Sequence, residues 1–292
     1  MEGIFQIGDF VFRILYPAEA APPENFMKFK IGTVDDSLGR SGRPEYTYRL
    51  RMGESLPEPA GTVIARRPDL AVFQNGPLES RLIGVKGRKN FYACYRETGE
   101  NQAEITLDRA ETAQLHIDPV YTSLFALERR LVKKDNLVLH CAYVEYRGEA
   151  ILFSAPSETG KTTQANLWEK YRKARTVNGD RALLGTRNGR WYAQGWPVCG
   201  TSEVCHKEAF PIRAVVMLSQ SKENQGERMT PGKAFPLLYA QITANKWNPA
   251  DHIHTMDLIE NFLGQVPVIH LACSISQGAV ACLEGILQNL DA

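Results

Sequence analysis

The chain has 292 residues, enough for one large domain or two ordinary ones that each bury a core. Its 34 basic and 33 acidic side chains leave a formal charge of +1, so nothing electrostatic points to nucleic acid or an anionic membrane as the main partner. Six cysteines (Cys94, Cys141, Cys199, Cys205, Cys273, Cys282) are scattered as reduced thiols rather than as a disulfide framework, and Cys199, Cys205 and His206 lack a second ligand pair at zinc spacing.

The opening MEGIFQIGDFVFRILYP has no basic stretch ahead of an apolar core and no small-residue cleavage pattern. No later run approaches the about 18 apolar residues of a membrane span, and the expectation is a cytoplasmic protein. From residue 4 to about 110 the sequence reads as short strands: DFVFRILYP, FMKFKIG, EYTYRLRM, GTVIARR, LAVFQN, SRLIGVKG, NFYACYRE and AEITLDRA. These predict a meandering antiparallel sheet, a β-rich N-terminal region over 1–117. PAEAAPPEN and GESLPEPAG read as exposed loops. Arg49, Arg51, Arg66, Arg67 and Arg81 alternate along the strands and read as a solvent face.

At Asp118-Pro119 the pattern changes, and a second domain is expected over 118–292. DPVYTSLFALERRLVKKDN offers an acidic cap, proline in the first turn, and Leu124, Leu127 and Leu131 at helical spacing, which predicts one amphipathic helix. LVLHCAYVEYRG and EAILFSA follow as a hairpin with Arg147-Gly148 at the turn.

The second strand runs into Ala155-Pro156-Ser157-Glu158-Thr159-Gly160-Lys161-Thr162, with Thr163 next, nearly a phosphate-binding loop but with alanine at the first glycine. Such a loop needs a strand that ends abruptly, inward-turned N–H groups, and a helix whose N-terminus meets the anion. The strand Ala150 to Phe153, Gly160 and the helix-forming KTTQANLWEKYRK supply these. Lys161 is expected at the outer phosphates and the Thr162 hydroxyl at magnesium. Ala155 is tolerated unless its φ is positive, and Glu158 is expected to point to solvent, since a carboxylate inside the loop would repel phosphate.

Downstream, ARTVNGDRALLG places Asp180 where a magnesium carboxylate would be presented, while Asn-Gly is also a strong hairpin signal; the two readings are compatible. Thr230-Pro231 opens a helix, ADHIHTMDLIENFLGQ supplies a second, VPVIHLACS a strand and SQGAVACLEGILQNL a last helix. His252 and His254 receive no role.

His140 in LHCAYVEYRG, the loop, VNGDRALL, GWPVCGTSE and FPIRAVVMLSQ together resemble the kinase domain of bacterial HPr kinase/phosphorylase and its smaller relatives, over about residues 120 to 290. The resemblance implies an α/β fold with the phosphoenolpyruvate carboxykinase-like P-loop core of mixed sheet and helices, here preceded by the antiparallel N-terminal region. It places His140, Lys161 and the pair Gly179-Asp180 around the transferred phosphoryl group, and Thr162 with Asp180 at the metal. Gly179 departs from the family, which has there the aspartate taken as the general base. Asp180, His140 or Glu203 are then the remaining bases. The implied activity is transfer of a phosphoryl group from ATP, or another nucleoside triphosphate, with Mg2+, to a hydroxyl of a small molecule or a serine of a peptide or protein. The alternative is a catalytically impaired nucleotide-binding sensor or accessory protein. Carboxykinase chemistry lacks the basic and metal-binding residues it needs. Homo-oligomerisation is left open.

Overall fold

In the computed structural model, which describes residues 1–33 and 43–290, contacts divide the chain into two units, Met1–Leu127 and Glu128–Ala292. The first contains β1 (Glu2–Ile7), β2 (Phe10–Leu15), the one-turn α1 (Glu24–Met27), β3 (Lys30–Gly32), β4 (Tyr46–Gly53), β5 (Thr62–Arg67), β6 (Leu70–Asn75), β7 (Leu78–Gly84), β8 (Phe91–Gly99), β9 (Gln102–Asp108) and α2 (Asp118–Ser123). Among the described residues the strands form a nine-stranded sheet in the order β3-β1-β2-β4-β9-β8-β7-β6-β5.

The expected antiparallel meander holds from β5 to β9. It fails at β4, which runs parallel to both β2 and β9, so the sheet is mixed. Local alternation specifies a strand and its faces, but long connections decide direction. Residues 16–45 separate β2 from β4, and the whole β5–β8 meander separates β4 from β9, lengths that allow parallel crossovers.

Two further expectations change here. PAEAAPPEN and the start of FMKFKIG are not simple loop and strand, because Ala20 and Phe26 are buried and Phe26 lies in α1. Phe26 stacks obliquely or edge-on against Phe5, Phe12, Tyr121 and Phe125, with centroids 5.1–6.5 Å apart. Arg81 is not on a solvent face. It is buried with Nε 2.5 Å from Glu79 Oε1, whereas Arg49, Arg51, Arg66 and Arg67 are exposed.

The second unit holds most of α3 (Leu127–Leu131), then β10 (Leu137–Tyr146), β11 (Glu149–Ser154), α4 (Lys161–Arg172), β12 (Arg175–Asn178), β13 (Arg181–Arg187), β14 (Arg190–Gly195), β15 (Ala209–Gln220), β16 (Gln225–Arg228), α5 (Pro231–Gln241), β17 (Ile242–Thr243), α6 (Pro249–Gln265), β18 (Val268–Cys273) and α7 (Gln277–Gln288). The single helix expected after Asp118 is broken into α2 and α3, because Ala126 adopts φ +47°, a left-handed angle that an α-helix cannot continue through.

The strands of this unit follow the order β11-β10-β13-β14-β15-β18-β16, with β12 and β17 also on β10 and β15 also on β11. β11, β15 and β18 are mutually parallel, and the other pairings are antiparallel. Alternate residues sort the core into two layers. Leu152, Val215, Met217 and Val268 face α5 and α6, while Ile151, Phe153, Val216 and Ile269 face α4 and α7. The result is a mixed α/β architecture with helices on both faces of the sheet.

Trp168 closes the second layer, fully buried and edge-on to Tyr146 at 5.1 Å. Trp168→Ala is expected to cost about 3–5 kcal/mol. Urea denaturation measures this, and a loss below about 1 kcal/mol would contradict the packing described.

Candidate functional site

The site grows from the end of β11. Ile151 to Phe153 are buried, Ser154 Oγ donates to the His140 carbonyl at 2.8 Å, and the chain then leaves the sheet. Ala155 is fully buried in the layer shared with α4 and does not adopt a positive φ, so its methyl group fits where phosphate loops carry glycine. Pro156, Ser157 and Glu158 are exposed, which puts the Glu158 side chain in solvent. Thr159 and Gly160 are half-buried. Gly160 has φ +112°, and it is the backbone angle rather than crowding that demands glycine there.

Helix α4 begins at Lys161, just after Gly160 in a left-handed conformation, and no side chain among the described residues caps its N-terminus. Thr162 and Thr163 are half-buried in that first turn. Lys161 is folded back: Nζ donates to the Ala155 carbonyl at 3.0 Å and to the Pro156 carbonyl at 3.2 Å. Burial lowers its pKa, with Asp180 and Cys141 acting in the opposite sense. The loop lysine and Asp180 are therefore within electrostatic reach of each other.

Asp180 lies between the end of β12 and the start of β13, at a strand boundary as its sequence context suggests, but without the hairpin. Asn178-Gly179-Asp180 is not a hairpin turn, because β12 and β13 do not pair with each other. Both pair with β10, Tyr143 opposite Asn178 and His140 opposite Arg181, with a one-residue register shift between Tyr143 and Val144 further along β12, and the Cys141 N–H donates to the Asp180 carbonyl at 2.9 Å. The segment is a kink in one continued strand. Asn-Gly suits a two-residue turn only where the flanking strands can pair, and here β10 takes both.

Asp180 Oδ1 lies 3.5 Å from His140 Nε2, and Oδ2 accepts from Arg181 Nε at 3.0 Å. Burial pushes the Asp180 pKa up, but the His140 hydrogen bond and the Arg181 guanidinium more than offset it, holding the carboxyl below the ordinary range. The other ring nitrogen of His140, Nδ1, lies 3.2 Å from Gln241 Oε1, so both nitrogens are engaged and the ring orientation is fixed. Arg181 Nη1 also donates to Thr243 Oγ1 at 2.9 Å. His140, Lys161 and Asp180 thus come together, whereas Glu203 is exposed and has no hydrogen bond or ion pair with any of them among the described residues.

Gln241, Arg181 and Thr243 were not legible as site residues. Gln241 and Thr243 are about 100 residues from His140 in sequence and are brought to it by the end of α5 and the β10–β17 pairing. Arg181, next to Asp180, was the one such residue a sequence signal could have flagged. No cluster of three or more His, Cys, Asp or Glu suited to a metal occurs among the described residues. Thr162 and Asp180 are oxygen donors of the kind magnesium takes when bound with a nucleotide, which needs only a few protein oxygens and leaves the rest to phosphate and water. The N-terminus of α4 carries no side-chain cap, which leaves N–H groups of the kind that hold an anion.

Position 179 lacks a side chain for a steric reason. A Cβ there would stand 1.9 Å from Ser202 Oγ and 2.3 Å from Ser202 Cβ. Ser202 is locked in place, donating to the Cys199 carbonyl at 2.7 Å and accepting from the Val204 N–H at 3.2 Å. Gly179→Ala is expected to destabilise by about 1–3 kcal/mol, and Ser202→Gly to relieve most of that loss in the double variant. Additive losses in a denaturation cycle would contradict the contact.

No curated protein matches the sequence. A solved structure, the Hpr(Ser) kinase/phosphatase from Coxiella burnetii, aligns at 9% identity over 53% of this chain and 99% of that one, with a TM-score of 0.32, a likeness too slight to decide fold or activity. The sequence match that covers well over half the chain is to a family model, at residues 105–278. The chain belongs to that family, described as SynChlorMet cassette protein ScmC.

Proposed function

We propose that the second unit binds a magnesium nucleoside triphosphate, ATP or a close relative, and transfers its γ-phosphoryl group to a hydroxyl of a small molecule or of a serine in a peptide or protein. The observation that carries this reading is Lys161, a buried ammonium held by the carbonyls of a loop that ends at an uncapped helix N-terminus and coupled electrostatically to Asp180. The resemblance of the sequence over residues 120 to 290 to HPr kinase domains, which implies a phosphoenolpyruvate carboxykinase-like P-loop core, supports the reading.

Lys161 exchanges its two carbonyl partners for phosphate oxygens, whose negative charge restores what burial takes from the ammonium. The α4 N–H groups hold the phosphates from the other side. The Thr162 hydroxyl and the Asp180 carboxylate would hold magnesium, which would supply charge neutralisation to the phosphates. The acceptor oxygen forms a bond to the γ-phosphorus as the bond to the β,γ-bridging oxygen breaks, and the acceptor proton passes to the Asp180 carboxylate oxygen that does not hold the metal, a weak base. Positioning and charge neutralisation supply most of such catalysis, so the absent carboxylate at 179 lowers rate more than it lowers binding. A second reading, a nucleotide sensor or accessory protein without transfer, is favoured by one observation, Ser202 filling the space in front of Gly179.

Calorimetric titration of ATP with magnesium into the full chain tests the shared part. Lys161→Ala is expected to weaken binding about tenfold to hundredfold, the worth of a charge-assisted hydrogen bond. A wild-type chain that is folded yet binds neither ATP nor pyrophosphate would overturn both readings. Magnesium-dependent transfer of labelled γ-phosphate to any acceptor excludes the sensor.

Burial of Lys161 also makes a stability statement. Its folded pKa is depressed, so the charged amine costs stability below that value, and the cost disappears as pH rises through the unfolded value of about 10.4. Lys161→Met is therefore expected to leave the thermal midpoint at pH 7 unchanged or raised, with the advantage shrinking toward pH 10. A marked loss of stability at pH 7 would show that the carbonyl contacts outweigh desolvation.

A further inference from the structure

Asn178 is fully buried, and its side chain makes three hydrogen bonds. Oδ1 accepts from the N–H of Asp180 and from the N–H of Arg181, each at 2.9 Å. Nδ2 donates to the Trp196 carbonyl at 2.7 Å. Tyr143–Asn178 and His140–Arg181 share one register across the kink, and the ladder shifts by one residue just before it, between Tyr143 and Val144. The amide takes over two donors that would leave a kinked backbone unsatisfied, and it ties the kink to the segment that follows β14. A buried asparagine that satisfies three partners inside a strand has no role in strand propensity, which disfavours it.

What the kink produces is the placement of Asp180. Its carbonyl stays on the β10 ladder through the Cys141 N–H, while its carboxylate meets His140 Nε2 and Arg181 Nε. Gly179 completes the device by leaving room for Ser202 against the kink. Asn178 and Gly179 thus shape the main chain around Asp180 without themselves contacting its carboxylate.

We infer that Asn178 is a positioning residue for magnesium-dependent nucleotide binding, acting through the backbone of Asp180 and Arg181 to aim the Asp180 carboxylate. This rests on the nucleotide reading above, and it assigns Asn178 no contact with nucleotide or metal. A residue of this kind controls metal affinity through geometry, and its loss typically lowers that affinity about tenfold to hundredfold. A merely structural asparagine lowers stability without changing how binding responds to the metal.

The experiment measures ATP affinity by calorimetry on the full chain, with Mg2+ and with EDTA, and thermal midpoints alongside. In Asn178→Ala the ratio of the two dissociation constants is expected to fall about tenfold or more, with binding in EDTA nearly unchanged. Val177→Ala is the control, removing apolar volume from the fully buried neighbour while leaving the amide in place. It is expected to lower the midpoint and keep the ratio. If Asn178→Ala does not fold, Asn178→Ser replaces it; its hydroxyl can still accept from the Asp180 N–H but is too short for the Trp196 carbonyl, and a smaller fall in the ratio is expected. An unchanged ratio in folded Asn178 variants, or an equal fall in Val177→Ala, overturns the inference. A wild-type chain that binds ATP with no response to magnesium overturns it while leaving the phosphate loop standing, and a chain that binds no ATP removes both.

Discussion

A lysine ammonium turned inward onto two carbonyl oxygens is the interaction around which the site is organised. Burying a cation is unfavourable unless other charge or dipoles compensate, and Lys161 has the carbonyls of Ala155 and Pro156 against it and the carboxylate of Asp180 within reach. Each of these depends on a different part of the fold. The carbonyls come from the abrupt end of β11, the lysine from the first turn of α4, and the carboxylate from the kink between β12 and β13. The parallel pairing of β11 with β15, and the α4–α7 layer packed on them, hold the strand end and the helix start in one place. Core packing and site geometry are thus one problem in this unit: Ala155 belongs at once to the loop and to the buried layer.

The strand, loop and helix from Ala150 to Arg172 were legible because each step has a local cause. β11 carries a short apolar run, Gly160 supplies the positive φ, and α4 follows with good helix formers. The Arg147-Gly148 hairpin was legible for the same reason, and both residues do adopt positive φ, as a two-residue turn of this type requires. These are features that neighbouring residues decide among themselves.

The features that were not legible depend on distant residues. Asn-Gly in VNGD is a hairpin signal by local chemistry, yet β10 pairs with the strands on both sides of it and the amide serves the kink instead. The parallel placement of β4, the burial of Arg81 against Glu79, and the break at Ala126 also follow from long-range packing that overrides alternation and helical spacing. Gly179 is the most instructive case. As a sequence mismatch it reads as a lost base, and the structure adds the reason for it: Ser202 occupies the space a side chain would need. The absence is part of how the kink packs, and it coexists with an intact arrangement of Lys161, Asp180 and His140.

Hydrogen exchange read by mass spectrometry, with and without ATP and Mg2+, tests the proposed phosphate loop most directly, because it reports on the backbone N–H groups themselves. Amides from Ser157 to Gln164 are expected to slow on addition of the nucleotide, while AMP, which lacks the outer phosphates, leaves them unprotected. Protection by ATP elsewhere in the chain, with no change across this segment, would contradict the assignment of the loop as the phosphate site.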